Sequence, residues 1–270
     1  MSALTKLHSK SKLDHQTLHY LPFLATKDRK GKYLFVGEWG NQQMILRAYE
    51  TLNTYDLKVL LYVIQEYLTN HYVVGDFNGR PVVQIAINVE SIMERMKIHN
   101  KKVNRKTFRN SIERLKSVSV AFINKITSEE VNTTYIYEFE VDKDIKTIVI
   151  FANKKFIEYI LKHGITIELE RINKYKSQYT VLLDLYISGT KKKIDNRYVF
   201  RTKYTYDELL TALKLNNLNL DRKKIMQIIR KSFQEFKQNT EIEYIFDKYK
   251  QMWLLNLNKS KQAITNSKSK

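Results

Sequence analysis

The chain has 270 residues, 43% of them hydrophobic, and a formal net charge of +19 from 47 Lys and Arg against 28 Asp and Glu. This length suits about two domains, and the hydrophobic content excludes a globally disordered chain. The positive excess favours a polyanionic partner, nucleic acid or acidic membrane, although an AT-rich coding sequence would also enrich the chain in Lys. The absence of cysteine excludes disulfides, thiolate metal sites and cysteine nucleophiles.

The first 16 residues, MSALTKLHSKSKLDHQ, are polar and basic, and they lack the apolar core of a secretory signal. They are predicted to form a flexible basic arm. No run of about 18 apolar residues occurs in the chain, so no membrane-spanning helix is expected. These features, with the lack of cysteine, predict a cytoplasmic protein.

The first half of the chain then alternates strand-like and helical patterns. Three strand-like runs at 18–26, 32–39 and 42–49 precede a helix at 54–69, whose leucines share one face. Later elements follow in this order: strand 81–87, a helix at 89–98 capped by Asn88, a basic segment at 99–106, a helix at 105–117, strand-like runs at 120–126, 133–141 and 146–152, a helix at 151–164 ended by Gly164, and an extended run at 165–172.

The second half repeats this order with a different sequence. Its predicted elements are a helix at 175–189, a basic loop at 190–195, a strand at 196–204, a helix at 206–215 whose capping box pairs Thr205 with Glu208, a turn at 216–221, a helix at 221–238 and a hairpin of 241–246 with 251–257. Helix, strand, helix, turn, helix and hairpin is the order of a winged helix. We therefore predict an α+β fold with two tandem winged helix–turn–helix domains, at 17–168 with extra N-terminal strands and at 169–258, before a disordered tail at 259–270.

The helix at 221–238 carries the strongest functional pattern. Its apolar stripe consists of Ile225, Ile228, Ile229, Phe233 and Phe236, and long cations and amides lie opposite, at Lys223, Gln227, Arg230, Lys231 and Gln234. Lys and Arg neutralise phosphates, Arg pairs with guanine, and Gln pairs with adenine in the major groove. This pattern predicts a DNA recognition helix. An ordinary solvated face is the alternative interpretation.

The helix at 105–117 has a comparable pattern. Its core side includes Phe108, and the residues predicted to face outward are Lys106, Arg109, Asn110 and Arg114, with Lys101, Lys102 and Arg105 just before them. Glu113 lies among them and is interpreted as balancing neighbouring charge, with a cytosine contact as the alternative. The predicted wings carry lysines that would contact phosphate or the minor groove, at Lys143, Lys146, Lys248 and Lys250.

Catalytic patterns are absent from the sequence. No Gly-rich phosphate loop or nucleophile elbow occurs, and no tyrosine has a context that marks it as a nucleophile. His15 and His19 have a spacing that can bind zinc on a helix, but no third ligand accompanies them. We therefore expect a protein that is not an enzyme and that has no metal and no cofactor. Its aromatic residues are interpreted as core residues, with stacking on single-stranded bases as the alternative.

These residues resemble the iteron-binding plasmid replication initiators. YKSQYTVLLDLYISG is similar to the first helix of their second winged helix, and YTYDELLTALKL followed by a basic helix matches the same module. TYDLKVLLYVI, SIERLKSVSV and NKKFIEYIL resemble segments of the IncQ-type initiators, and the similarity covers 17–257.

The resemblance implies two winged helices that bind directly repeated origin sequences, open an adjacent AT-rich region and recruit host replication proteins, the initiator and the helicase. It also implies a possible homodimer through the first domain. By this resemblance the second recognition helix contributes Lys223, Lys224, Gln227, Arg230, Lys231 and Gln234, and the first contributes Lys106, Arg109, Asn110 and Arg114.

We therefore predict a sequence-specific, non-enzymatic DNA-binding initiator whose two recognition helices enter successive major grooves. A winged-helix transcriptional regulator would use the same helices and is the main alternative. A DNA-cleaving enzyme and an RNA-binding protein are further alternatives.

Overall fold

The structure is a computed structural model that describes residues 10–13, 17–18, 22–25, 32–39, 41–70, 72–190, 192–194, 197–199, 201–240 and 242–256. It divides into two compact units, Met1–Leu169 and Glu170–Lys270. The fold is mixed α+β and is built on small sheets of two to four strands. The predictions for the rest of the basic arm, for His15 and His19, and for the tail at 259–270 lie outside the described residues.

The first unit contains ten strands and four helices that the structure describes in full, and Thr17 and Leu18 are also helical. In chain order they are β1 (Lys10–Leu13), β2 (Tyr33–Trp39), β3 (Gln42–Ala48), α1 (Thr54–Thr69), β4 (Val73–Phe77), β5 (Arg80–Asn88), α2 (Val89–Arg95), α3 (Lys102–Lys116), β6 (Ser119–Asn124), β7 (Glu129–Thr134), β8 (Ile136–Val141), β9 (Thr147–Asn153), α4 (Lys154–His163) and β10 (Ile165–Glu168). Helix α5 (Leu169–Lys174) begins at the last residue of this unit.

Two four-stranded antiparallel sheets and one strand pair build the first unit. Their strand orders are β2-β3-β6-β7, β4-β5-β9-β8 and β1-β10. Helix α1 lies at the centre, packed against α3 and β1. Its Leu57, Leu60, Leu61 and Ile64 are all buried, but so are residues on the other sides, such as Val59, Tyr62 and Val63, so the helix is enclosed on nearly all sides and not along the one predicted face. Asn53 starts this helix through a capping box with Asp56.

The second unit has a simpler plan. Its described elements are α6 (Gln178–Gly189), β11 (Lys192–Ile194), β12 (Arg197–Val199), β13 (Lys203–Thr205), α7 (Tyr206–Ala212), a 3-10 turn (Leu215–Asn217), α8 (Arg222–Thr240), β14 (Glu243–Asp247) and β15 (Met252–Asn256). Helix α8 packs on α6. In its core the rings of Phe233 and Trp253 stack in parallel, with centroids 5.6 Å apart.

Both units order one sheet in the same way. In the first unit, β5 precedes helices α2 and α3, and the hairpin β8–β9 follows them, with β9 between β5 and β8. In the second unit, β13 precedes α7 and α8, and β15 of the following hairpin lies between β13 and β14. In each unit the basic helix therefore comes, in chain order, after a single strand and before a hairpin that pairs with that strand.

Local signals read from the sequence are confirmed at several helix ends. The capping box of Thr205 and Glu208 starts α7, the side chain of Asn88 accepts from the backbone N–H of Ser91, and Gly164 ends α4. The caps of Thr205 and Asn88 act within three residues, so their effect does not depend on the tertiary structure.

Other expectations are wrong in detail. Lys10–Leu13, predicted as part of a flexible arm, forms a strand paired with Ile165–Glu168, and Ser11 and Leu13 are fully buried. The run predicted as extended at 165–172 becomes helical at Leu169. The segment predicted as a basic loop at 190–195 contains strand β11. The run predicted as one strand at 133–141 divides between β7 and β8. The predicted strand at 18–26 lies partly outside the described residues, and within it Leu24 makes one isolated bridge to Asn53. Pairing partners distant in sequence decide the first and the last of these segments, because Lys10–Leu13 pairs with Ile165–Glu168 and Leu24 with Asn53.

Among the described residues, no helix is long and apolar enough to cross a membrane.

Candidate nucleic-acid interface

Helix α8 presents an exposed basic face in the second unit. Its buried side consists of Ile225, Ile229, Ser232, Phe233 and Phe236, whereas Ile228, predicted as part of the apolar stripe, is only half-buried. Asp221 caps its first turn by accepting from the backbone N–H of Lys224 at 2.8 Å. All six residues predicted for DNA contact on this helix are exposed: Lys223, Lys224, Gln227, Arg230, Lys231 and Gln234.

Few acidic groups reduce the charge of this face. Lys224 approaches the Asp221 carboxylate at 3.8 Å, and the Arg230 guanidinium lies 5.4 Å from the ring centroid of Phe246. Lys223 and Lys231 form no ion pair within the part of the chain that the structure describes. A phosphate would therefore meet cations that are available for pairing.

The one carboxylate of α8 points away from this face. Glu235 accepts from the backbone N–H groups of Lys176 and Ser177 and, at 2.6 Å, from the hydroxyl of Thr180. Ser177 is the N-cap residue of α6, but its own side chain makes no capping hydrogen bond. Glu235 therefore caps α6 from a neighbouring helix, and this contact holds α8 in place while leaving its outer face positive.

The hairpin after α8 adds a second basic element. Lys248 and Lys250, both predicted as wing residues, are exposed at its turn. Asp247 orders the turn by accepting from the backbone N–H groups of Tyr249 and Lys250 at 3.0 and 3.1 Å. Tyr249 between the two lysines is 100% exposed. It was not among the predicted site residues, although a tyrosine between two lysines in a predicted turn is a signal that the sequence does contain.

Arg222 is another residue of this surface that the sequence reasoning missed. Its guanidinium lies 4.8 Å from the ring centroid of Tyr206 and 3.4 Å from the side-chain oxygen of Gln251. These contacts link the start of α8 to α7 and to the turn of the hairpin.

In the first unit, α3 exposes part of the predicted set. Lys102, Lys106, Arg109 and Asn110 are exposed, as are Lys101 before the helix and Glu113 within it. The buried side consists of Phe108, Ser111, Ile112 and Leu115. Glu113 forms no ion pair with any described residue, so the structure gives no support for its interpretation as a charge-balancing group.

Arg114 does not face outward as predicted. Its guanidinium donates to Oδ1 of Asp56 at 2.7 and 3.0 Å, and Asp56 is fully buried. The same oxygen accepts from the hydroxyl of Ser111 at 2.6 Å. A buried carboxylate needs a cationic partner, and Arg114 is the cation of α3 that reaches it.

Arg105 is also partly withdrawn from the exposed face. It donates to Glu90 at 2.9 Å, and its side chain is 16% exposed. A hydrogen bond from the Asn100 side chain, with the nearby charges of Lys146 and Arg105, lowers the pKa of Glu90. The carboxylate is therefore charged at neutral pH, and it reduces the positive charge beside the start of α3.

The β8–β9 hairpin of the first unit carries Lys143 and Lys146, both exposed. Asp142 orders its turn by accepting from the backbone N–H groups of Lys146 and Thr147, each at 2.8 Å. These backbone hydrogen bonds, the one from Lys146 first, lower the pKa of Asp142. The predicted wing lysines therefore stand on an ordered turn.

No group of three or more His, Asp or Glu that could hold a metal ion occurs in the described part of the chain. The candidate interface therefore consists of basic groups on helices α3 and α8 and on the hairpins β8–β9 and β14–β15. They can bind an anion and donate hydrogen bonds.

Known proteins resemble this chain in part of its sequence and in most of its fold. A family model described as a domain of unknown function, DUF1368, matches residues 16–143. No curated protein sequence matches the chain.

Solved structures match over most of the chain. Domains 2 and 3 of RctB match at a TM-score of 0.58 and 10% identity, covering 89% of this chain and 96% of the RctB chain. The Pi initiator protein, in complex with iteron DNA, matches at a TM-score of 0.53 and 14% identity, covering 93% of this chain and 98% of the Pi chain. A second structure of RctB domains 2-3 matches at a TM-score of 0.54 and 9% identity, covering 90% of this chain and 98% of the RctB chain. The chain therefore shares the fold of these proteins over nearly their whole lengths.

Proposed function

We propose that this protein is a DNA-binding initiator of plasmid replication that recognises directly repeated origin sequences through two winged helices. The observation that carries the proposal is a feature that both units share. In each unit an exposed basic helix is followed by a hairpin, and the second strand of that hairpin lies between its first strand and the single strand that precedes the helices. That arrangement supports a winged helix–turn–helix, in which the second helix of the pair would enter the major groove. The shared fold with the Pi initiator, which was solved with iteron DNA, supports the same proposal.

Each group on these surfaces has a distinct task in the proposal. Lysines such as Lys223 and Lys231 neutralise phosphates and supply most of the affinity. Gln227, Arg230 and Asn110 read base edges and supply sequence preference. Opening of an AT-rich region and recruitment of host replication proteins follow from the family resemblance, and no catalytic step by this chain is part of the proposal.

A test begins with duplex DNA taken from the region flanking the gene. Wild-type protein should protect a set of direct repeats, and Arg230→Ala should weaken binding to that DNA by about 1–3 kcal/mol if Arg230 pairs with guanine. Lys237→Ala is a matched control, since Lys237 lies on the same helix but pairs with Glu243 at 2.7 Å. An equal loss on random DNA would reduce Arg230 to a phosphate contact.

Three further measurements separate the alternatives. A plasmid that carries the gene and its repeats should replicate only when the protein is intact, whereas a transcriptional regulator would bind without supporting replication. Supercoiled origin DNA incubated with the protein and magnesium should stay intact, and a nicked product would favour an enzyme. Duplex DNA should displace the protein from RNA.

A homodimer through the first unit is part of the same proposal. Leu34 and Val36 lie on one face of β2, 62% and 50% exposed, at the edge of the sheet β2-β3-β6-β7. An apolar edge of this kind favours pairing with a second copy. Light scattering should give a mass near twice 32.2 kDa at high concentration, and Leu34→Lys with Val36→Lys should return the monomer. A wild-type protein that stays monomeric would argue against this surface.

A further inference from the structure

Val103 is an exposed apolar residue on the basic face of α3. It is the second residue of the helix, and its side chain is 65% exposed. The other apolar residues of this helix, Phe108, Ile112 and Leu115, are all fully buried. Val103 is therefore the one apolar residue of α3 that the core does not use.

The neighbours of Val103 in the first turns of α3 are largely engaged within the protein. The Asn104 amide donates to the backbone carbonyl of His99 at 2.7 Å, Arg105 pairs with Glu90, and the Thr107 hydroxyl donates to the carbonyl of Val103 at 3.0 Å. Three side chains between 102 and 107 remain exposed without such a contact among the described residues: Lys102, Val103 and Lys106. Val103 is the only one of the three that cannot pair with a phosphate.

Helical spacing places Val103 in line with polar residues that can contact DNA. Positions 103, 106 and 110 follow one another by three and four residues, so Val103, Lys106 and Asn110 lie along one stripe. A recognition helix in the major groove contacts base edges mainly with residues near its N-terminus. In that arrangement Val103 would lie against a base edge and Lys106 beside it.

We infer that Val103 reads the 5-methyl group of a thymine in the major groove. This inference rests on the proposed DNA-binding function and adds a sequence preference to it. The thymine methyl is the apolar group among the base edges of that groove, and every other base edge presents donors or acceptors. A valine side chain, which offers no donor or acceptor, matches only that group.

Uracil provides an atom-level test because it lacks the methyl group and keeps the hydrogen-bonding edge of thymine. A preferred duplex is first selected from a random-sequence library with the full-length wild-type protein. Each thymine is then replaced by uracil, one at a time. At one position per binding site, uracil should weaken wild-type binding about fourfold, the effect of losing one buried methyl group.

Val103→Ala should bind the thymine duplex about fourfold more weakly and should be insensitive to uracil at that position. The variant should fold normally, since the position is exposed and alanine favours helix. Val73→Ala is the matched control, because Val73 is also 65% exposed but lies on β4. It should keep the full response to uracil.

The outcomes separate the two claims. Selection that yields no preferred sequence would overturn the proposed function itself. A preferred sequence whose uracil substitutions leave wild-type binding unchanged would overturn only the role of Val103, as would an equal uracil effect in Val103→Ala.

Discussion

Two arginines of α3 show how the same residue type takes different roles. Arg109 is exposed on the basic face, whereas Arg114, five residues later, donates to the buried carboxylate of Asp56. Asp56 also accepts from the hydroxyl of Ser111 and from the backbone N–H of Asn53. The ion pair therefore ties α3 to the start of α1, and Arg114 helps to hold in place the helix whose exposed face carries Arg109.

Arg114→Ala should lower the free energy of unfolding by about 3–5 kcal/mol, because it leaves the Asp56 carboxylate buried without its cation. Arg109→Ala should leave stability within about 0.5 kcal/mol of wild type, as expected for an exposed position. Thermal or urea unfolding of the two variants measures the difference. Adding Asp56→Asn to Arg114→Ala should recover part of the loss, and equal stability of the two single variants would contradict the structural role.

Lys214 has a different environment, at the end of α7 with a backbone φ of 57°. Burial lowers the pKa of Lys214 to about 8, against about 10.4 in an unfolded chain. Between these values the unfolded chain binds more protons than the folded one, so the free energy of unfolding rises with pH. Below pH 8 the Lys214 amine is protonated in both the folded and the unfolded state. Its contribution to the free energy of unfolding is then constant and at its least favourable value.

Lys214→Met should therefore raise the unfolding midpoint at pH 7 and should remove the gain that wild type shows between pH 8 and 9.5. Lys203→Met, at an exposed lysine of the same unit, should keep the wild-type gain. Thermal melts across this range give the comparison. A Lys214→Met profile parallel to that of wild type would contradict the shifted pKa.

At the scale of elements, α8 combines an exposed basic face with an anchoring contact in adjacent residues. Gln234 is exposed on the outer face, whereas Glu235 accepts hydrogen bonds from the start of α6. The periodicity of the sequence identified the outer face, because it follows from helical spacing alone. The anchoring contact joins residues more than 50 positions apart and has no local signature.

Gln234 and Glu235 should give opposite results when replaced. Glu235→Ala should lower the free energy of unfolding by about 1–2 kcal/mol, as expected for a lost helix cap. Gln234→Ala should leave stability unchanged and should weaken binding to the preferred duplex. Urea unfolding and a binding titration on both variants test this separation, and a stability loss in Gln234→Ala would argue against an outward-facing side chain.

At the scale of the whole molecule, the proposal requires both units to contact one DNA duplex. The net charge of +19 provides attraction, but only lysines close to phosphates release counterions on binding. The salt dependence of affinity therefore reports how many lysines each unit contributes. It also distinguishes simultaneous binding from binding by one unit alone.

Replacing Lys102 and Lys106 by Ala in the first unit should reduce the slope of log K against log salt concentration by about two, and so should replacing Lys223 and Lys231 in the second. The four changes together should reduce it by about four. Lys155→Ala, at an exposed lysine on α4, should leave the slope unchanged. A slope that responds to only one pair would mean that only one unit contacts the duplex.

The sequence by itself determined most of the helices, the caps at Asn88 and Thr205 and the basic face of α8, because these depend on spacing within a few residues. Only the tertiary structure decided which cations remain available, as with Arg114 and Arg105, because a carboxylate that withdraws a cation is brought near by folding. It also decided that Lys10–Leu13 pairs with Ile165–Glu168 and that Glu235 caps α6. Such contacts join distant parts of the chain, and local residue patterns carry no record of them.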